Sequence, residues 1–228
     1  MTAIWSWKWL IVGSLLTVLV VLVASLVAAF AGQRPPSNST GAYEGTALDG
    51  QAVDFRLLDQ DGRKIALSDF RGQVVVLAFL DSQCKEVCPL TAAHLRTANQ
   101  DLGERAKAVI FLGVNVNIRA NDVADVAATT QKWRLDEIPA WHFLTGSPEE
   151  LEPVWEAYDI LVLPASAENK ELVHTPGVFL IDQAGQKRWC VSTPFDESGT
   201  AQWTAPLSEL LVKHVRELLR EGRANASS

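Results

Sequence analysis

An uncharged run near the N-terminus constrains this chain more than any other feature. Residues 9–32, WLIVGSLLTVLVVLVASLVAAFAG, contain no Asp, Glu, Lys or Arg. At about 1.5 Å per helical residue, roughly 24 residues are enough to cross a bilayer core of about 30 Å. Trp5, Trp7 and Trp9 cluster at one end of the run, as aromatic residues do at a membrane interface. We therefore predict a transmembrane helix over residues 9–32, preceded by a short N-terminal segment, residues 1–8.

A cleaved signal peptide is the alternative interpretation of this run. Ala29-Phe30-Ala31 matches an A-x-A cleavage site. The run is longer than the apolar region of about 7–15 residues that signal peptides carry, which favours a retained anchor. No Arg-rich amphipathic presequence precedes it, which favours a bacterial membrane. Either interpretation places the rest of the chain outside the cytoplasm, and we predict a single-pass membrane protein with its C-terminal domain on the periplasmic side.

Composition bounds the rest of the chain. The 228 residues are 48% hydrophobic, which suffices for one domain with a proper core. The formal net charge is −7 and no run of basic residues occurs, so we expect no nucleic-acid partner. Three cysteines are too few for a disulfide scaffold. The positions of the three cysteines in the sequence are therefore more informative about function than their number.

The pattern beyond the run divides the chain into three parts. Residues 33–50 are rich in Pro, Ser, Gly and Thr without a hydrophobic period, which predicts a flexible linker. Residues 51–222 carry the periodic segments of a folded domain, and residues 223–228 are predicted to be a disordered tail. Asp61-Gly62, flanked by short apolar runs, predicts a β-hairpin at the start of the domain.

Continuous apolar runs predict the central strands of the domain. QVVVLAFL (73–80) and AKAVIFLGVNV (106–116) indicate strands buried on both faces, and AWHFLTG indicates a shorter one. Three helical segments alternate with these strands: one that ends at Gly103, one capped by Asn121, and one capped by Ser147 with Pro148 at its first position. A second hairpin around Ala184-Gly185 and an amphipathic helix from Leu207 close the chain. The order predicts an α/β domain with a mixed sheet covered on both faces.

The stretch FLDSQCKEVCPLT (79–91) holds two of the three cysteines. Cys84 and Cys88 stand four apart, a spacing that brings both to one face of a helix or its entry loop. The positive end of a helix dipole and its free N–H groups favour thiolate over thiol. Residue chemistry alone leaves open a redox pair, a metal clamp, a peroxide-reducing thiol or two buried structural thiols.

One of the four histidines differs from the others in its setting. His94 is predicted to face away from the thiols, His142 to be a packing residue, and His214 to face the core from the last helix. His174 stands at the entry of a strand, two residues before Pro176. Cys190 lies on a strand between apolar neighbours and is predicted to be a small buried residue.

The segments IALSDFRGQVVVLAFL, CKEVCP and VHTPGVFLIDQAGQKRW resemble the Sco/SenC family of thioredoxin-like proteins. That family carries C-x-x-x-C-P after the central strand and an H-S/T-x-x-x-F/Y-L-I/V-D segment downstream. His174 follows Cys88 by 86 residues, as in the family. Lys85 and Glu86 replace the family's usual Pro and Asp, so this chain resembles a divergent member.

The resemblance implies a fold, a site and a role. The fold would be thioredoxin-like, with an N-terminal β-hairpin extension, after one transmembrane helix. Cys84, Cys88 and His174 would bind one copper ion, Cu(I) or Cu(II), and the two cysteines would also be the redox-active pair. The protein would deliver copper to the copper-containing subunit of cytochrome c oxidase, or reduce its cysteines, and would meet other copper chaperones or thiol reductases. It would be a chaperone more than an enzyme, although thiol–disulfide exchange would be a possible activity.

Three alternatives stay open. The first is a membrane-anchored thiol–disulfide oxidoreductase without metal, in which Thr175-Pro176 would be a cis bond beside the thiols. The second is a peroxidase that attacks through Cys88, although Lys85 stands where that class needs Thr or Ser. The third is a binding module for an oxidase subunit without metal or redox chemistry.

Overall fold

A computed structural model describes residues 44–166, 172–192 and 205–226. Within those residues no helix has both the length and the apolarity needed to cross a bilayer. The predicted transmembrane segment, 9–32, and the linker residues up to 43 lie outside the described residues.

Within the described residues, ten strands and four α-helices build the domain. The strands are β1 (Thr46–Ala47), β2 (Arg56–Leu58), β3 (Lys64–Ala66), β4 (Val74–Leu80), β5 (Val109–Asn115), β6 (Trp141–Leu144), β7 (Val162–Leu163), β8 (Val173–His174), β9 (Val178–Ile181) and β10 (Lys187–Val191). The helices are α1 (Val87–Leu102), α2 (Val123–Lys132), α3 (Pro148–Ala157) and α4 (Leu207–Ala226).

Six of the strands form one mixed sheet in the order β1-β10-β9-β4-β5-β6. Strands β4, β5 and β6 run parallel, and β9 joins β4 antiparallel. All seven residues of both β4 and β5 are buried, as the continuous apolar runs predict, because helices and loops cover both faces of the sheet. The predicted mixed α/β architecture is confirmed.

A separate hydrophobic core packs against each face of the sheet. On one face, α1 and α4 contribute side chains such as Leu95 and Leu211 to the first core. On the other face, α3 and the β2–β3 hairpin contribute Leu151 and Leu57 to the second core. The predicted N-terminal hairpin is therefore confirmed, and it serves as part of the cover of the sheet.

Two boundaries differ from the sequence pattern. Strand β1 lies inside the predicted linker, residues 33–50, and pairs Thr46 with Cys190 at the edge of the sheet. Helix α4 continues to Ala226, into the predicted tail 223–228. The local sequence does not reveal β1, because that strand is held by its pairing with β10, far along the chain.

Helix ends follow the sequence signals in two of three cases. Helix α1 ends where Gly103 adopts a positive φ of 56°, and α3 starts with Ser147 at its cap and Pro148 at its first position. The predicted cap of α2 at Asn121 is wrong, because Asp122 occupies the cap position. The Asn121 amide instead donates a 2.8 Å hydrogen bond to the carbonyl oxygen of Gly146.

Candidate metal and redox centre

The cysteine pair lies where the central strand passes into its helix. Strand β4 ends at Leu80, a short loop follows, and α1 begins at Val87. Cys84 is half-buried in the loop, whereas Cys88 is 2% exposed in the first turn of α1. The backbone N–H of Cys88 points at the Cys84 sulfur at 3.4 Å. The carboxyl end of a buried strand thus presents two thiols of unequal exposure at a helix N-terminus.

Cys84 is held as a thiolate. A hydrogen bond from the Cys88 thiol, with further ones from the backbone N–H groups of Cys88 and Glu86, lowers the pKa of Cys84 to about 5. Burial and the charge of Asp81 oppose this effect, but they are outweighed. At neutral pH the Cys84 sulfur is therefore negatively charged, nucleophilic and ready to bind a soft metal.

Cys88 is held as a thiol. Its donation to Cys84 raises its pKa, and burial raises it further. All three cysteines of the chain are free in this structure. The two thiols of the pair are therefore unequal: one accessible anion and one buried proton donor.

His174 reaches the pair from a two-stranded ribbon outside the main sheet. Strands β7 and β8 form this ribbon, in which Val162 pairs with His174. The His174 Nε2 lies 3.6 Å from the Cys88 sulfur. The Nδ1 lies 3.1 Å from the carbonyl oxygen of Thr175, to which it can donate only when it carries the proton. That tautomer leaves the Nε2 lone pair directed at Cys88, and burial lowers the pKa of His174, which keeps the ring neutral.

These donors fit a copper ion by type and by spacing. Two sulfurs and one neutral imidazole are ligands that Cu(I) accepts. In tetrahedral zinc sites, bonds of about 2.3 Å to sulfur and about 2.0 Å to nitrogen hold the two ligand atoms about 3.5 Å apart, close to the 3.6 Å between Cys88 and His174. Among the described residues, however, no three His, Cys, Asp or Glu side chains are already gathered as a metal site. Cys84 contacts Cys88, and Cys88 contacts His174. One of the three side chains must therefore shift before all three can bind one ion.

A hollow of about 380 Å³ opens beside Cys84. Asp81, Asn117 and Arg119 line it together with Cys84. The Asp81 carboxylate, 5% exposed, accepts a 2.8 Å hydrogen bond from the Asn117 side chain. Its backbone carbonyl accepts one from the N–H of Cys84. Neither Asp81 nor Asn117 stands out in the sequence as a site residue, although Asp81 directly follows β4 and Asn117 lies two residues beyond β5.

The remaining histidines lie elsewhere, as predicted. His94 meets Ser208 of α4 at 3.4 Å, and His142 contacts the buried carboxylate of Asp59 at 3.1 Å. His214 is 1% exposed, and its ring stacks on Trp189. Cys190 is half-buried on β10, and burial raises its pKa.

Two alternatives are weakened by this geometry. A peroxidase needs an accessible, low-pKa attacking thiol, and Cys88 has neither property. The thiols are not merely structural either, because Cys84 is half-buried and strongly acidic. No peptide bond among the described residues is cis, so the Thr175–Pro176 bond is trans.

The SCO1/SenC family model matches residues 45–205, which include both cysteines and His174. The SCO1 protein homolog of Bacillus subtilis is 23% identical over 156 residues, 66% of this chain and 80% of that protein. The mitochondrial SCO1 homolog 1 of Arabidopsis thaliana is 24% identical over 136 residues. That match covers 59% of this chain but only 40% of the Arabidopsis protein.

Solved structures share the fold. Copper-bound ScoI of Arabidopsis thaliana superimposes with a TM-score of 0.61 at 19% identity, covering 75% of this chain and 99% of that one. BsSco, described as having a disulfide switch and as a member of the Sco family of cytochrome c oxidase assembly proteins, gives 0.58 at 18% identity, covering 76% and 96%. The thioredoxin domain of a Bacteroides vulgatus thiol–disulfide oxidoreductase gives 0.52 at 16% identity, covering 75% and 97%. The fold is thioredoxin-like.

Proposed function

The chain belongs to the SCO1/SenC family, and from that premise we propose that it is a membrane-anchored copper metallochaperone for cytochrome c oxidase. It binds copper as cargo through Cys84, Cys88 and His174, and passes the ion to the copper-containing subunit of the oxidase during assembly. The observation that carries the proposal is the 3.6 Å contact between Cys88 and His174, which adds an imidazole to the thiol pair.

The different acidity and burial of the two thiols set the order in which the three residues bind copper. Cys84 is already an anion and half-buried at the edge of a hollow, so it meets the incoming ion first. Cys88 then loses its proton as the metal binds, because only the thiolate is a good ligand. The Nε2 of His174 supplies the third donor without losing a proton. Three ligands leave one side of the ion open for the acceptor.

Oxidation state controls whether the site can hold the ion. A Cys84–Cys88 disulfide forms when the Cys84 thiolate and the Cys88 thiol pass two electrons and one proton to a partner disulfide, which becomes one thiolate and one thiol. Both sulfur donors are then removed at once. Copper binding therefore requires the reduced pair.

A second function, thiol–disulfide exchange with the oxidase cysteines, is favoured by the same asymmetry. The Cys84 thiolate attacks a partner disulfide, forms a mixed disulfide and releases one partner thiolate. Cys88, after giving up its proton, attacks the Cys84 sulfur and releases the second partner thiolate. Two electrons pass to the partner, and the Cys84–Cys88 disulfide remains until a reductase restores it.

Exposed apolar side chains around the site suit a protein partner. Six large apolar side chains are more than two-fifths exposed in the described part of the chain. Five of them lie on elements that carry or flank the site: Leu90, Ile118, Leu161, Leu163 and Val173. Contiguous exposed apolar patches mark interaction surfaces, and Leu163 and Val173 pair on the β7–β8 ribbon, directly beside Leu161. We take these five side chains as the docking surface for the oxidase subunit.

The proposal includes a single-pass anchor at residues 9–32, with the domain on the periplasmic side. A protein that loads a membrane-embedded oxidase benefits from confinement to the same membrane. Extraction of membranes at alkaline pH, followed by protease treatment of spheroplasts, tests this part separately. Retention of the chain in the pellet and digestion of its domain are expected.

The cellular test uses a strain that lacks this chain. We expect lower cytochrome c oxidase activity, partial recovery with added copper, and full recovery with the intact gene. The Cys84→Ser and His174→Ala variants should not restore activity without added copper. Normal oxidase activity in the deletion strain would overturn the proposed function.

A further inference from the structure

A basic hollow lies on the outer face of α4, away from the cysteine pair. Its volume is about 460 Å³, and five of its six lining residues are cationic. These are Arg105, Lys213, Arg216, Arg220 and Arg223, with Leu219 as the sixth. We call this set the basic face of α4. In a chain of net charge −7 with only 20 Lys and Arg residues, five of them on one surface is a marked concentration.

Helical spacing and the neighbouring backbone hold the basic face together. Positions 213, 216, 220 and 223 recur at intervals of three and four residues, so they share one side of the helix. Arg216 donates a 2.8 Å hydrogen bond to the carbonyl oxygen of Asp101, which ties the cations to the end of α1. A bond to a carbonyl leaves the positive charge of Arg216 in place. The surface therefore attracts anions.

The chain enters the domain at the same place. Glu44, the first described residue, forms a 2.6 Å ion pair with Lys213, which offsets one of the five positive charges of the basic face. Its carbonyl oxygen lies 2.7 Å from the Nε2 of His214. In the sequence, eleven residues lie between Gly32, where the predicted anchor ends, and Glu44.

The basic face and the cysteine pair lie at opposite ends of α1. Helices α1 and α4 run side by side in the same direction, since Ser208 meets His94 and Arg216 meets Asp101 further along. Cys88 is in the first turn of α1, and Asp101 is in its last turn. At 1.5 Å per residue, the helix separates them by about 20 Å.

We propose that the basic face of α4 docks onto anionic phospholipid headgroups and directs the cysteine pair away from the bilayer. The inference rests on the proposed membrane anchor for its biological setting. Lys and Arg side chains are attracted to anionic lipid headgroups, and each cation near the surface adds to the attraction. The docked domain would present Cys84 and His174 to a partner that projects above the membrane.

The test uses residues 42–228, which form a compact unit with both hydrophobic cores inside it. Solved relatives that consist almost wholly of this domain fold as separate chains. Flotation is measured with vesicles of phosphatidylcholine alone, and with vesicles that contain phosphatidylglycerol at a ratio of about 7:3. We expect binding only to the anionic vesicles and release by high salt, because surface charge attraction is screened.

Matched charge reversals make the test specific. Arg105→Glu with Arg220→Glu should weaken partition into anionic vesicles at least tenfold, since each cation contributes about fivefold. Lys64→Glu with Lys132→Glu changes the net charge equally at exposed sites on other elements and should leave binding unchanged. Equal loss in both variants, absence of lipid binding, or displacement by millimolar inorganic phosphate would overturn the proposal. These results are independent of the membrane-extraction experiment, so failure of the anchor and failure of the basic face are distinguishable.

Discussion

The Sγ of Cys88 and the Nε2 of His174 lie 3.6 Å apart, although 86 residues separate them in the chain. The contact depends on the β7–β8 ribbon, which carries His174 to the N-terminus of α1. The same helix end stabilises Cys84 as a thiolate. The structure therefore places an imidazole beside the buried thiol of the cysteine pair.

The ionisation of Cys84 should be measurable by alkylation. Its pKa of about 5 means that the thiolate is present at neutral pH and is lost as pH falls through 5. We expect the rate of iodoacetamide modification at Cys84, followed by peptide mass spectrometry, to reach half of its plateau near pH 5. Cys88 should react far more slowly across the whole range. A midpoint near 8.5, the ordinary cysteine value, would contradict the assigned hydrogen bonds.

Substitutions at Cys88 should move that midpoint in a graded way. Cys88→Ala removes the thiol donor to Cys84 and should raise the pKa of Cys84. Cys88→Ser retains an O–H donor and should raise it less. Circular dichroism of both variants controls for folding. Identical midpoints in the two variants would mean that the side chain of Cys88 does not hold the thiolate.

The docking surface predicts a separation of copper binding from oxidase assembly. Leu90→Gln with Leu161→Gln changes two exposed side chains near the site without altering charge. We expect unchanged Cu(I) affinity in vitro and reduced oxidase activity in cells. Val53→Gln, at a 50% exposed residue in the hairpin region, is the matched control and should retain both. Equal activity of the double variant and the control would remove these side chains from the interface.

The hydrogen bonds of Asp59 predict that the free energy of unfolding depends on pH, independently of the cysteine–histidine site. Its fully buried carboxylate accepts hydrogen bonds from Arg63 and His142. Burial would raise the pKa of Asp59, but these bonds outweigh it and leave the pKa below its usual value. The stabilisation is therefore present above about pH 4 and declines as pH falls toward the lower, folded-state pKa.

Asp59→Ala tests that assignment. It should lower the free energy of unfolding at pH 7 by about 1–3 kcal/mol, because it removes the acceptor for His142 and for the backbone N–H groups of Asp61 and Arg63. It should also flatten the acid side of the stability profile measured by urea denaturation. A variant that keeps the steep acid dependence of the intact chain would show that other carboxylates are responsible.

Much of the fold follows from local sequence signals. Continuous apolar runs predict β4 and β5 because strands buried on both faces need apolar residues at every position. Asp61-Gly62 predicts the hairpin because these two residue types favour a tight turn between neighbouring strands. The β7–β8 ribbon has no such signal. Each of its strands has two residues, and Val162 is paired with His174 by tertiary contacts.

For the candidate site, the sequence predicted residues but not electrostatics. The spacing of Cys84 and Cys88, with the resemblance to Sco/SenC proteins, predicted three copper ligands. The structure places Cys84 beside Cys88, and Cys88 3.6 Å from His174, and their role as ligands stays a prediction. The unequal pKa values of the two thiols depend on which N–H and S–H groups face which sulfur. Asp81 could not be predicted for the same reason, because its position depends on a hydrogen bond from Asn117, which lies beyond the end of the neighbouring strand β5.

Copper binding should depend on the oxidation state of the chain, because Cys84 and Cys88 supply the same two sulfurs for copper binding and for disulfide formation. The reduced chain should bind one Cu(I) ion, whereas the chain with a Cys84–Cys88 disulfide should bind none at the same chelator concentration. Oxidised protein treated with a reductant controls for irreversible damage and should regain binding. Equal uptake by the oxidised and reduced forms would exclude the two cysteines as ligands.

The copper site proposed at Cys84, Cys88 and His174 is best tested by the Cu(I) affinity of the His174→Ala variant. The affinity is measured on reduced protein against a competing chelator. Loss of residues that only support a ligand already costs about 10–100-fold in metal affinity. We therefore expect His174→Ala to bind Cu(I) at least 100-fold more weakly than the intact chain. His94→Ala, a histidine on α1 that faces Ser208 instead, should bind like the intact chain. Unchanged affinity in His174→Ala would contradict a copper site made by Cys84, Cys88 and His174.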